Sequence, residues 1–116
     1  MAYDPDNVFA RIVRGELPST RVYEDEEFLA IRDIEPLAPT HILVMPKGDG
    51  PIGPADLEDG DAPWIGRMIV LATRIAHEEG LTHGYRLVMN CGQDGGQAVP
   101  HLHVHVVGGR TLGKLG

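Results

Sequence analysis

Three histidines alternate with aliphatic residues in the segment Pro100 to Gly109, PHLHVHVVGG. On a β-strand, successive side chains point to opposite faces. His101, His103 and His105 would then share one face, and Leu102, Val104 and Val106 the other, where they can enter a core. Adjacent imidazoles of the row would stand roughly 6.5–7 Å apart at Cα. Imidazole gains little from packing and carries two nitrogens that need partners, so a row of three reads as chemistry rather than core. Two chemistries use such a row. In one, neutral imidazoles bind a metal, and His-x-His on a strand can grip one ion with both rings. Three positions of a straight strand do not converge easily on one ion, however, and no carboxylate or cysteine lies nearby in sequence. In the other, one imidazole attacks phosphorus, its neighbours donate to phosphoryl oxygens, and the leaving group takes a proton. A neutral imidazole is a competent nucleophile near pH 7.

The loop feeding the row favours phosphorus. Asn90 to Gln97, NCGQDGGQ, sets three glycines among polar side chains, and glycines let backbone N–H groups surround an anion. Cys91 reads as a small loop residue with nothing nearby to activate a thiol. The isolated His77 and His83 read as structural.

The remaining elements must hold this strand and loop in place. Asp6 or Asn7 caps a short first helix whose apolar stripe is Val8, Phe9, Ile12 and Val13, and Gly15 stops it. Arg21 to Glu24 and Phe28 to Asp33 form a hairpin around an acidic turn, and Thr40 to Met45 a third strand ended by Pro46. Gly48 to Asp61, rich in Gly, Pro and Asp, is a connection. Pro63 to Glu79 carries the strongest helical pattern, with Trp64, Ile65, Met68, Ile69, Leu71, Ala72, Ile75 and Ala76 on one side and Gly80 at its end. Tyr85 to Asn90 and His101 to Val107 are the fourth and fifth strands. The expectation is an α+β domain: a five-stranded, mostly antiparallel sheet with two helices. Strand order is not legible from these patterns.

Composition narrows the partners. A chain of 116 residues suits one domain, and ten Lys and Arg against seventeen Asp and Glu give a net charge of −7. An acidic chain lacks the broad basic surface that would bind nucleic acid or an anionic membrane, but a small phosphorylated ligand needs only a few aimed donors. One cysteine excludes an internal disulfide. No signal-like segment and no membrane-length apolar run are readable, so the expected setting is the cytoplasm.

With these residues in view, HLHVHVV matches the His-φ-His-φ-His-φ-φ signature of the histidine triad family of nucleotide hydrolases and transferases. The likeness extends to VFARIVRGELPSTRVYEDE, to DIEPLAPTHILVMPK (Asp33 to Lys47) and to GYRLVMNCGQDGGQAVPHLHVHVVGGR (Gly84 to Arg110). These segments resemble the Hint branch, and DGGQ and GGR favour it over the Fhit branch. Transferases of the family typically carry Gln at the third histidine. His105 is retained here, which implies hydrolysis.

The resemblance implies a purine nucleoside phosphoramidase of the HIT-like fold that acts through a covalent nucleotidyl-histidine, without a metal or other cofactor. It makes His103 the nucleophile, with His101 and His105 binding or protonating the phosphoryl and leaving groups. It places His41 beside them in the hydrogen-bond network. Asn90, Gly96, Gln97 and the Ala98 backbone would contact phosphate, and Asp33 would accept from the ribose hydroxyls. Val8, Phe9, Ile12, Ile31, Ile34 and Leu43 would wall the base. It also implies a homodimer that joins two sheets through the long helix and the strand after it. Ala98 departs from the serine of animal members, and the tail TLGKLG lacks their tryptophan-containing ending, which bears on the leaving group. Two rivals stand beside this reading. One is a metal-dependent hydrolase with the histidines as ligands, and the other a nucleotide-binding regulatory module with incidental turnover.

Overall fold

The computed structural model describes residues 2–116. Helix α1 (Val8–Val13) is followed by strands β1 (Arg21–Glu24), β2 (Phe28–Arg32) and β3 (Thr40–Pro46), helix α2 (Ala62–Glu78), and strands β4 (Tyr85–Val88) and β5 (Val104–Gly108). The sheet order is β1-β2-β3-β5-β4, every neighbouring pair antiparallel. The order missing from the sequence thus sets β5, with its histidines, between β3 and β4. No helix is long and apolar enough to cross a membrane among the described residues.

Each helix covers one sheet face. Met68, Leu71, Ala72, Ile75 and Ala76 of α2 bury against Phe28, Ala30, Ile42, Val44, Leu102, Val104 and Val106. Trp64, Ile65 and Ile69 pack around the same cluster half-buried, and Gly80 ends the helix at φ +78°, a conformation that suits glycine. The other face carries a smaller cluster in which Phe9 and Ile12 of α1 meet Leu29, Ile31, Leu43 and Met45. Asn7 is the residue that caps α1, its Oδ1 accepting from Ala10 N at 2.9 Å.

The expected fifth strand, His101 to Val107, begins three residues later. Val44 opposite Val104 is the last pair between β3 and β5, and β4 ends at Val88 opposite His105. Upstream, Leu102 N donates to Pro51 O and His101 N to Val99 O, so loop carbonyls replace the ladder there. β4 likewise stops short of Met89 and Asn90. The alternation nevertheless holds: Leu102, Val104 and Val106 face α2, and the histidines face the other way.

Candidate active site

Backbone groups, whose donor and acceptor roles are fixed, determine the protonation pattern of the histidines. His41 is buried, and its Nδ1 accepts from Leu37 N at 3.1 Å. Its Nε2 therefore carries the proton, which it donates to His105 Nδ1 at 2.8 Å. His105 must then carry its own proton on Nε2, and that nitrogen is buried without a partner among the described residues. His103 donates from Nδ1 to the His101 carbonyl at 2.7 Å, which leaves the Nε2 lone pair free. An uncommitted donor and an uncommitted lone pair thus stand side by side, the His103 and His105 ring centroids 4.9 Å apart. Burial holds His41 and His103 below the ordinary imidazole value and His105 down to about 4. Neutral rings suit the pattern at pH 7.

His101 has a different place from the one expected. It is 1% exposed, its Nε2 donates to the Pro46 carbonyl at 2.8 Å, and its Nδ1 accepts from the Tyr3 hydroxyl at 2.7 Å. Both nitrogens are occupied, so it cannot bind or protonate a phosphoryl group without breaking one of these bonds. Its carbonyl instead orients His103. Tyr3 was not legible as a site residue, because nothing in MAYDPDN marks it and the contact spans almost the whole chain.

Asp33 follows β2 and ties to the same network. Its Oδ2 lies 3.5 Å from His41 Nε2, its Oδ1 accepts from Glu35 N at 2.8 Å, and its N–H donates to the His41 carbonyl. Beside it opens a cavity of about 450 Å³ that contains all the residues expected to wall a base: Val8, Phe9, Ile12, Ile31, Ile34 and Leu43. Phe9 stands edge-on to His103 with centroids 4.9 Å apart, which joins the cavity to the histidines. Val8 and Ile34, 48% and 91% exposed, form its apolar lip. Leu17, Pro18, Ser19 and Val99 also line it; sequence reasoning missed them because they lie in connections without periodicity.

The glycine loop departs in part from expectation. Gly96 N and Gln97 N close turns onto the Gln93 and Gly92 carbonyls. The Gln97 side chain accepts from Gly92 N and donates to the Ile52 and Val99 carbonyls. These groups shape the loop and fasten it to the Gly/Pro connection, rather than waiting for phosphate. A Cβ on Gly95 would lie 2.3 Å from the Cys91 carbonyl oxygen, so only glycine fits that turn. Asn90 is half-buried and lines a second cavity together with His105, while Ala98 is exposed at the end of the loop.

Asp33, His41 and His105 each offer a metal-ligating atom within 4.8 Å of the others. His41 Nε2 and His105 Nδ1, however, share a hydrogen bond at 2.8 Å, whereas two nitrogens on one tetrahedral zinc stand about 3.3 Å apart. The two rings are thus placed to share a proton, closer together than two ligands of one zinc.

Comparison with known proteins gives one consistent result. The HIT domain family model matches residues 14–112. The purine nucleoside phosphoramidase of Escherichia coli strain K12 is 46% identical over 112 residues, 95% of this chain and 92% of that protein. A protein of Zea mays named a 14 kDa zinc-binding protein is 48% identical over 110 residues, 94% of this chain and 86% of that one. Among solved structures, a histidine triad protein from Clostridium difficile superposes with a TM-score of 0.90 at 41% identity, covering 97% of this chain and 98% of that one.

Proposed function

This chain belongs to the HIT domain family, and on that premise we propose that it is a purine nucleoside phosphoramidase. It hydrolyses the P–N bond of adenosine or guanosine 5′-phosphoramidates, releasing the nucleoside monophosphate and an amine. The observation that carries the reading is the free lone pair of His103 beside the unpartnered Nε2–H of His105. His103 Nε2 attacks the α-phosphorus, and His105 Nε2–H serves the phosphoryl oxygen or the departing nitrogen. Water then opens the nucleotidyl-imidazole in a second displacement. Asp33 accepts from the ribose hydroxyls at the mouth of the apolar cavity that holds the base. His41 acts through His105 and His101 through His103, as positioning residues. Asn90 and the backbone near Ala98 border the phosphate.

The test is trapping. Rapid quenching during turnover should give a peptide containing His103 with the added mass of a nucleotide. Turnover without any adduct on that peptide rejects the nucleophile. A regulatory module with incidental turnover would retain nucleotide without cleaving it, which a single-turnover measurement separates. The name of the maize relative raises zinc for this chain, but the 2.8 Å contact between His41 and His105 speaks for a hydrogen-bond chain. Undiminished turnover in chelator supports the metal-free route, and loss restored by zinc overturns it.

The same reading includes a homodimer and a cytoplasmic setting for a single domain spanning residues 1–116. Val70, 65% exposed on α2, and β4 at the sheet edge support pairing across a two-fold axis. Sedimentation at low micromolar concentration checks it, with a monomeric mass and full activity as the contrary result.

A further inference from the structure

Direction matters most at the ring of His103, because a nucleophile must meet phosphorus in line and at close range. Three neighbours set that ring. The His101 carbonyl accepts from its Nδ1 at 2.7 Å, and the His105 ring lies 4.9 Å away with the planes 62° apart. The third neighbour is Phe9, also at 4.9 Å between centroids but almost perpendicular, at 88°. Aromatic pairs favour such an edge-to-face arrangement. A phenyl ring carries no polar hydrogen, so it steadies the imidazole without occupying the lone pair of Nε2.

Phe9 also lines the apolar cavity beside Asp33, where it supplies the one aromatic ring among the residues expected to wall a base. One buried side chain therefore touches both the nucleoside cavity and the nucleophile. Its backbone is fixed. Asn7 caps α1 through Ala10 N, and Arg21 Nη2 donates to the Ile12 carbonyl at 2.8 Å, which ties the helix to β1. Movement of Phe9 is then rotation of its ring about a held Cα, between His103 and the cavity of about 450 Å³. A base in that cavity leaves the ring only its place against His103. A substrate without a base leaves it free to turn away.

We propose, resting on the phosphoramidase reading, that Phe9 is a positioning residue through which the base speeds the chemical step as well as strengthening binding. The base excludes the ring positions of Phe9 that leave His103, and Phe9 in place holds His103 Nε2 on the line to phosphorus. Phe9 itself makes and breaks no bond. The gain arises because the base fits one position of the ring better than the others. A base that tolerated all positions equally would add affinity and leave the rate at saturation unchanged.

Two n-propylamine phosphoramidates test this, one of adenosine 5′-phosphate and one of 1-O-methylribose 5-phosphate, which keeps the ribose hydroxyls and lacks the base. Adduct formation on the peptide containing His103 is followed in single turnover and extrapolated to saturation, so that affinity drops out. In the parent we expect the adenosine compound to react about fivefold faster, the size of one aromatic pair. Phe9→Leu and Phe9→Met keep an apolar wall without the ring. In either, the adenosine compound should slow to near the rate of the riboside, and the riboside should change little, so the two losses do not add. The ratio is taken within one protein, so a smaller folded fraction cancels. Equal saturated rates in the parent, the result for a wall that only binds, overturn the proposal. A rate advantage that survives both substitutions overturns it as well. Cleavage of neither compound by the parent overturns the phosphoramidase reading itself.

Discussion

The two faces of β5 are built from alternate residues of one segment, yet they serve opposite ends. Leu102, Val104 and Val106 are sealed under α2 in the larger apolar cluster. The intervening histidines face the other way, His103 against Phe9 at one cavity and His105 lining another, and every ring N–H there has a fixed partner except that of His105. The α2 face draws stability from area removed from water, which is non-directional and tolerant of shape. The histidine face depends on direction, because a tautomer set by one backbone carbonyl determines where a lone pair points. Substitutions on the first face should change how much protein is folded, and those on the second how well the folded protein reacts.

The sharpest break between the faces is expected from His103→Ala against Val106→Ala. Loss of the lone pair of His103 should lower kcat by at least ~10³-fold while monophosphate binding stays nearly intact. Val106→Ala should cost about 1–3 kcal/mol of stability through the cavity it leaves, with kcat per folded molecule unchanged. Denaturant titration beside active-site titration separates the two. Residual activity of His103→Ala within tenfold of the parent would dissolve the contrast.

Asp33→Ala should act on binding. On the proposed ribose contact it removes acceptors used in ground and transition states alike, so KM should rise more than kcat falls, for a loss of about 1.5–3 kcal/mol in kcat/KM. A 2′,3′-dideoxy substrate should lose most of the same energy in the parent and little more in the variant. Additive losses would show that Asp33 does not hold the ribose.

What was legible in the sequence followed the same division. The core face could be read because period-2 alternation of aliphatic residues in a strand and the 3.6-residue stripe of α2 have no other economical explanation. The histidine triad could be read from residue type at that spacing. The wiring was not, since it runs through main-chain atoms: the Pro46 carbonyl, Leu37 N and the carbonyl of His101 itself. Every residue has such atoms, so no pattern announces which ones will be used. Hence His101 resembled its neighbours in sequence and differs from them in structure. Gly96 and Gln97 likewise had the composition of a phosphate cradle, but their groups are consumed by the turns of the loop.

Acid should probe the histidine face alone over a defined window. Burial lowers His41, His101 and His103, and His105 to about 4, whereas unfolded imidazoles titrate near ~6.5. Below that value the unfolded chain binds protons that the folded one does not, so stability is present in full above pH 6.5 and falls on acidification toward the folded values. We expect Tm to drop on the order of 5 °C between pH 7 and pH 5, with a shallower slope in His105→Gln. Turnover of the folded enzyme should persist below pH 6.5, because His103, the proposed nucleophile, is held neutral by burial. A Tm that is flat across this window would contradict the burial argument.

The smallest effect is expected from Tyr3→Phe, which asks whether every polar group on the histidine face belongs to the chemistry. Burial raises the Tyr3 pKa, so the hydroxyl is a neutral donor to His101 Nδ1 at 2.7 Å. Its removal leaves one buried nitrogen of His101 without a donor, which costs about 1–2 kcal/mol. The other nitrogen keeps the Pro46 carbonyl, so the ring stays in its tautomer. His103 bonds the carbonyl of His101 and not its ring, so the disturbance reaches the nucleophile only through backbone movement. Tyr3→Phe should therefore lose a few degrees of Tm and less than tenfold in kcat, the pattern of a core residue on the polar face. A hundredfold loss of kcat at unchanged Tm would place the Tyr3 hydroxyl within the proton chain and move the boundary between the two faces to the first residues of the protein.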